Sequence, residues 1–286
     1  MTSNLVPPSP LFSPGRAGGE QRWTLDDIPW QAIAHDRLAG REDLFILLAT
    51  ASLVEASTAL FTRNLVDHFR GDEEVTRWLD ENWLPEEMQH GQALRRYVET
   101  AWPDFAWEDV YRPFLDEYTP CCRLDALEAE RSLEMVSRCV VETGTASYYT
   151  TLSRASPEPV LALLARRIAA DEVRHYKHFY RHFRRYRQQE NIRRSAVFGA
   201  LWRRLRMTEG EDSYIALKHV YLARHPGRGF DPRVYRAVRR EFRRSLFAQF
   251  PHAMGVKMLL KPLGLPPRVG RLFEPLVEAL ARRLVP

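Results

Sequence analysis

Glu87-Met88-Gln89-His90 and Glu172-Val173-Arg174-His175 are the only two Glu-x-x-His quartets in the chain, and each lies in a segment with helical periodicity. Residues i and i+3 share a helix face, so each quartet presents a carboxylate and an imidazole side by side. Two isolated acids, Glu55 and Glu142, sit on two further helical segments, giving the order Glu, Glu-x-x-His, Glu, Glu-x-x-His. One quartet alone would carry little weight, because Glu and His are common on helix surfaces. The full set is different: four helices turning these six side chains inward could hold a pair of metal ions.

A buried carboxylate is costly unless it is paired, hydrogen-bonded or bound to metal. Glu55 lies within Leu53-Val54-Glu55-Ala56-Ser57, and its same-face neighbours Ala51, Ser52, Thr58 and Ala59 are small. Glu142 follows Val140-Val141 and precedes Thr143-Gly144-Thr145-Ala146. Small residues leave room beside each acid for a metal and a substrate chain. Four carboxylates balance two divalent ions, and two neutral imidazoles complete an oxygen–nitrogen set that suits iron or manganese better than thiolate-seeking metals. The candidate ligands are Glu55, Glu87, His90, Glu142, Glu172 and His175.

Strand-type alternation is sparse while i, i+3, i+4 apolar patterns recur, so the chain reads as all-α. Its 286 residues suffice for one large helical domain with an appendage. Core helices are expected over 41–69, 72–100, 124–155 and 158–189, the third closed by Pro157 and Pro159. Short first-to-second and third-to-fourth connections imply antiparallel neighbours. The longer middle segment, broken at Trp102-Pro103 and Pro113, suits a crossover. Residues 1–22, rich in Pro, Ser and Gly, read as a disordered or extended tail without a signal-peptide core. Residues 23–190 form the bundle, with Trp23 to Trp30 as an aromatic-anchored N-terminal arm. Residues 191–286 form a basic helical extension packed on it, with helices expected over 194–206, 211–224, 231–249 and 269–284.

The apolar stretch from Phe45 to Phe61 carries Glu55 at mid-depth and reads as a buried bundle helix rather than a membrane span. Three cysteines, Cys121, Cys122 and Cys139, make neither a disulfide framework nor a zinc site, which points to a reducing, cytoplasmic setting.

Several residues compete for or support the metal roles. Glu86 is about 100° around the helix from Glu87, so it should face outward or bond to groups behind the ligands. Glu128, Glu130 and Glu134 have polar neighbours and read as a solvated face. His178 and His182 follow His175 at helical spacing and could supply a third histidine ligand, although partial exposure among Arg and Tyr is the commoner fate of such residues. Asp171 precedes Glu172 and could hold a ligand histidine's ring N–H. Trp83, one turn before Glu87, should stack above the site, with core packing as its ordinary role.

With these residues in hand, the chain resembles the soluble acyl-carrier-protein desaturases of the ferritin-like carboxylate di-iron superfamily. Trp83-Leu-Pro-Glu86-Glu87-Met-Gln-His90-Gly91 is similar to that family's Trp-x-x-Glu-Glu-x-x-His-Gly, and Ala170-Asp171-Glu172-Val-Arg174-His175 to its Ala-Asp-Glu-x-Arg-His. Thr145 matches a threonine that the family places beside its irons to manage protons. A short stretch, Gly264-Leu-Pro-Pro-Arg268 followed by Arg271-Leu272, is similar to one near the family's C-terminus. The resemblance covers residues 45–185; the basic last third departs from it. It implies a ferritin-like four-helix bundle holding two Fe ions, with manganese as an alternative. It also implies a homodimer and the oxygen- and electron-dependent removal of two hydrogens from an acyl chain on acyl carrier protein. No flavin, haem or iron–sulfur motif occurs, so a ferredoxin-like protein would supply electrons.

A rival reading keeps the site but makes the enzyme a di-iron N-oxygenase or hydroxylase acting on an amine or small biosynthetic intermediate. Similar arylamine oxygenases carry an added histidine where this chain has Ile168. Iron storage and nucleic-acid binding are disfavoured, the first by the large extension and the second by the lack of an aromatic platform or recognised motif.

Charge is unevenly spread. Residues 1–160 hold 14 Arg and Lys against 27 Asp and Glu, whereas residues 161–286 hold 28 against 10. Solvated helix faces account for some of this, but acyl carrier proteins and ferredoxins are generally acidic. Arg181, Arg184, Arg185 and Arg187 are candidate docking residues. The amphipathic stretches 253–265 and 272–284 have basic flanks compatible with a membrane surface, although packing on the bundle or a second subunit is the commoner outcome.

Overall fold

The apolar run after Arg41 forms α1 (Glu42–Ala56), with every residue from Leu44 to Ala49 buried. A helix apolar all round belongs in the middle of a bundle. By length and composition, Glu42–His68 could cross a membrane, but more than half of its apolar window is buried against other helices. Nor is the helix continuous to Phe69. Ser57 closes α1, its hydroxyl donating to Val54 O at 2.7 Å, and α2 (Thr58–His68) follows. The computed structural model describes residues 22–207 and 210–284, so the expected N-terminal tail lies outside the described residues except for Arg22.

Asp72 caps α3 (Glu73–Trp78) by accepting from Val75 N, and a π-turn, Leu79–Trp83, leads into α4 (Leu84–Ala101). The wide turn stands just ahead of Pro85, whose ring would clash with the carbonyl one turn back in a regular helix. The break after α1 coincides with a close backbone approach between α1 and α4. A Cβ at Gly91 of α4 would lie 2.7 Å from both Cα and N of Ala56 and 3.0 Å from Glu55 C. Gly91→Ala is therefore expected to cost about 1–3 kcal/mol. Urea unfolding checks this, and an unchanged midpoint would mean that the contact opens freely.

Pro113 does not break the crossover. It lies inside α5 (Trp107–Tyr118), which is held by one buried face of Trp107, Val110 and Phe114. The third core helix, α6 (Arg131–Ala155), begins later than its apolar pattern implies, and Leu124–Ala126 is a separate 3-10 turn. The Glu190 carboxylate sets the start by accepting from Arg131 N and Ser132 N, both at 3.0 Å. Glu158, fully buried, caps α7 (Pro159–Gln189) through Val160 N and Leu161 N and also accepts from Ala34 N and Tyr97 OH.

The architecture is an all-α helical bundle with no strand among the described residues. α1 packs along α4, and α6 along α7. Of the later helices, α8 (Arg194–Arg206) lies on α6, and α9 (Glu211–Arg224) on α1 and α5. α10 (Pro232–Leu246) touches α1 and α6, α11 (His252–Leu260) packs on α6, and α12 (Pro267–Leu284) packs on α11. The break after Gln249 makes α11 a helix separate from the expected set. The N-terminal arm winds through short 3-10 turns with Trp23, Ile28 and Trp30 buried.

The apolar core falls into two clusters. One includes Leu53, Leu94, Tyr149 and Ile168; the other includes Leu65, Trp83, Val140 and Tyr176. On α1–α2, α4, α6 and α7 alike, the change from one to the other falls around the candidate ligands. A polar layer therefore crosses the middle of the bundle.

Candidate metal centre

All six candidate ligands converge in that layer. Glu55, Glu87, His90 and Glu172 form one group, and Glu87, Glu142, Glu172 and His175 another. Within each group the donor atoms lie within 4.8 Å of one another. All six residues are buried, from Glu55 at 8% exposed to His90 at 0%.

The two groups share Glu87 and Glu172, and the sharing is atom by atom. Glu87 turns Oε1 to His175 Nδ1 at 3.0 Å and Oε2 toward His90 Nδ1 at 4.0 Å. Glu172 does the reverse, with Oε1 3.3 Å from His90 Nδ1 and Oε2 3.8 Å from His175 Nδ1. Glu142 Oε2 stands 3.6 Å from His175 Nδ1. Despite this crowding, His90 Nδ1, His175 Nδ1, Glu142 Oε2 and Glu172 Oε1 make no hydrogen bond. Buried polar atoms rarely go unpaired, and acceptors converging from four helices fit a cation. These buried residues could hold metal.

The far side of each imidazole is fixed by an acid from the other helix. His90 Nε2 of α4 donates to Asp171 Oδ2 of α7 at 3.0 Å, and His175 Nε2 of α7 donates to Glu86 Oε2 of α4 at 2.7 Å. Protonation at Nε2 leaves Nδ1 as the free lone pair. Arg174 ties the two acids together, bonding to both Asp171 and Glu86. Trp23 Nε1 donates to Asp171 Oδ2 at 2.7 Å, and Arg22 Nε lies 2.8 Å from Glu86 Oε1. Tyr149 OH donates to Glu55 Oε1 at 2.6 Å, and Thr145 Oγ1 to Glu172 Oε2 at 2.8 Å.

Electrostatics follow from this packing. Burial, reinforced by Glu87 and Glu172, pushes the Glu55 carboxyl well above the usual carboxylate range. Burial raises Glu142 similarly, against the pull of His175. For Glu172 burial is overridden by His175 and His90, which hold it well below the usual range. Both imidazoles move well above theirs: burial opposes this, but Asp171 and Glu172 prevail at His90, and Glu142, Glu172, Glu86 and Glu87 at His175. Without metal, the centre holds its protons tightly.

Of the two placements expected of Glu86, the structure shows the inward one: it is buried, bonds to Arg174 and also holds the His175 ring. Other expectations need correction. Trp83 meets His175 edge-on, at 6.4 Å and 73°, instead of stacking over the site, while Trp23 lies parallel to His90 at 6.2 Å. Glu134 is no solvated residue: it is buried, paired with Arg138 at 2.9 Å, and accepts from Glu128 N. Glu128 itself pairs with Arg203. Ala59 is exposed, so it opens no room at Glu55, and the Ser52 hydroxyl is occupied by Trp107 Nε1.

His178 stacks on Trp78 at 3.6 Å, and burial with the His182 charge lowers it to about 3. His182 is buried beside Arg181, and neither histidine belongs to the ligand groups. Ile168 is fully buried in apolar core. Among the four arginines expected to dock a partner, Arg181 pairs with Glu74 and Arg185 with Asp72 and Glu74. Arg187 bonds to the carbonyls of Ile192 and Pro262, and Arg184 is exposed. Intramolecular pairing thus involves three of the four.

Glu86 had a readable signal: an acid precedes each Glu-x-x-His, and each serves the opposite histidine. Tyr149 and Trp23 had none, because their partners are distant in sequence.

Comparisons of the chain with protein-family models, with curated proteins and with solved structures returned no match.

Proposed function

We propose that the chain is a carboxylate-bridged di-iron oxidoreductase that uses dioxygen, acting on an acyl chain presented by acyl carrier protein. One observation supports the metal part of this reading: Glu87 and Glu172 each direct one oxygen toward either imidazole, so both would help to hold two neighbouring ions. Bound iron would supply the redox chemistry of dioxygen reduction, and manganese suits the same donors. Glu55 with His90, and Glu142 with His175, complete one position each.

The chain's own groups would then orient, exclude water and manage protons. Asp171 and Glu86 lock the imidazoles, and Tyr149 fixes Glu55. Thr145 can hold a proton at Oγ1 against Glu172. The ring of buried apolar residues on both sides keeps bulk water out. Electrons would come from a separate acidic ferredoxin-type protein.

The test is metal analysis followed by anaerobic reduction and exposure to oxygen with acyl carrier protein thioesters, alongside arylamines. Two irons per chain and a product lighter by two hydrogens support the reading. A protein that binds no iron, or that reacts only with the amine, rejects it.

The crossed acids give a sharper expectation. Asp171→Asn should weaken the ion beside His90, and Glu86→Gln the ion beside His175, each by about 10–100-fold. Stepwise metal titration reads the two positions separately. Equal weakening of both ions by either variant would refute the pairing.

A further inference from the structure

Among the described residues, the exposed large apolar side chains concentrate on two neighbouring helices, with Leu124 the exception. Phe198 is 59% exposed and Trp202 54% on α8, with Met207 55% at its end; Leu272 is 65% and Leu276 60% on α12. Phe198 and Trp202 are one helical turn apart, as are Leu272 and Leu276, so each helix turns an apolar stripe outward. A wholly apolar groove of about 120 Å³ joins them, floored by α11 and closed by Val277 of α12. Contiguous apolar surface left in water marks an interaction site.

Charge selects the occupant. On α8, Arg194, Arg203 and Arg206 are exposed and the helix carries no acid, Arg203 pairing with Glu128; on α12, Arg268 is exposed, with Glu274 and Glu278 further along the helix. Arg206 and Arg268 are exposed near the stripes. A second copy placed face to face would set these arginines against their own kind. Phe198 and Trp202 line this groove yet stay more than half exposed, and a groove of about 120 Å³ is too small to seat a peptide helix about 10 Å across. Outward Trp, Phe and Leu beside Arg form the pattern of helices that lie in a bilayer interface.

We propose that α8 and α12 form a peripheral docking surface for an anionic lipid bilayer. Phe198, Trp202, Leu272 and Leu276 enter the boundary between headgroups and acyl chains, and the flanking arginines bind lipid phosphate. This inference is independent of the metal reading.

The experiment is co-sedimentation of the full chain with vesicles of phosphatidylcholine, alone or mixed with phosphatidylglycerol. Binding is expected to be at least about tenfold stronger on the anionic vesicles, since each arginine near such a surface contributes about fivefold. The combined variant Phe198→Ser, Trp202→Ser, Leu272→Ser and Leu276→Ser should lose that binding. Arg206→Glu should weaken it at least about fivefold, and circular dichroism should show both variants folded. Several results would overturn the proposal: wild type left in the supernatant, binding unchanged in the folded combined variant, or a dimer in light scattering that this variant dissociates. Binding to an acidic carrier protein but to neither vesicle would do so too.

Discussion

Glu172→Ala is expected to empty both halves of the metal centre, whereas Glu55→Ala and Glu142→Ala should each empty one. Glu172 is the residue whose two oxygens face different imidazoles and whose ionised form is favoured in the metal-free site. If two ions are held as proposed, removing it would take one carboxylate oxygen from each and leave their positive charges less compensated. Losing a direct ligand should cost more than losing an outer hydrogen bond, which is itself worth about 10–100-fold. Affinity at both positions should therefore fall by at least about 100-fold. Equilibrium dialysis with ferrous ion, counted per chain, provides the measurement. If Glu172→Ala retained one ion at wild-type affinity, the carboxylate would serve a single metal and the bridging arrangement would be wrong.

The six candidate ligands were legible because their signal is local. Each quartet places its pair on one helix face, and Glu55 and Glu142 are acids in apolar surroundings. The helices were legible for the same reason, with the last third marked by Gly and Pro. What could not be read depends on residues far apart in sequence. The start of α6 is set by Glu190, and the end of α1 coincides with pressure from Gly91. Pro113 stays inside α5, which one buried face holds against apolar core. Likewise Glu134 looked solvated until Arg138, one turn along, turned inward with it. Glu158 was legible as the start of the fourth core helix, but not as the carboxylate that joins the arm, α4 and α7 in one buried hydrogen-bond set. A carboxylate can be buried to hold metal or to hold backbone, and sequence context does not separate the two.

Stripping metal should cost more stability than Gly91→Ala, and it should change the sign of the pH dependence. At free metal of about 100–1,000 times the dissociation constant, each ion stabilises the folded chain by about 2.7–4.1 kcal/mol, so two contribute roughly 5–8 kcal/mol. In the stripped protein, Glu55, Glu142, His90 and His175 all have raised folded-state pKa values. Groups shifted in that direction contribute stability below their unfolded pKa and lose it as pH rises through the folded one. Asp171, Glu86 and Glu172 are shifted down, so their contribution is lost only as pH falls below the ordinary carboxylate range. The metal-free protein should therefore be most stable in mildly acidic solution and weaken toward alkaline pH. Metal loading displaces those protons, so the loaded protein should gain stability over the same rise. Thermal melts of chelated and ferrous-loaded protein from pH 5.5 to 8 would resolve the crossing. Parallel curves, with or without metal, would mean that the four carboxylates and two imidazoles do not share their protons with a bound ion.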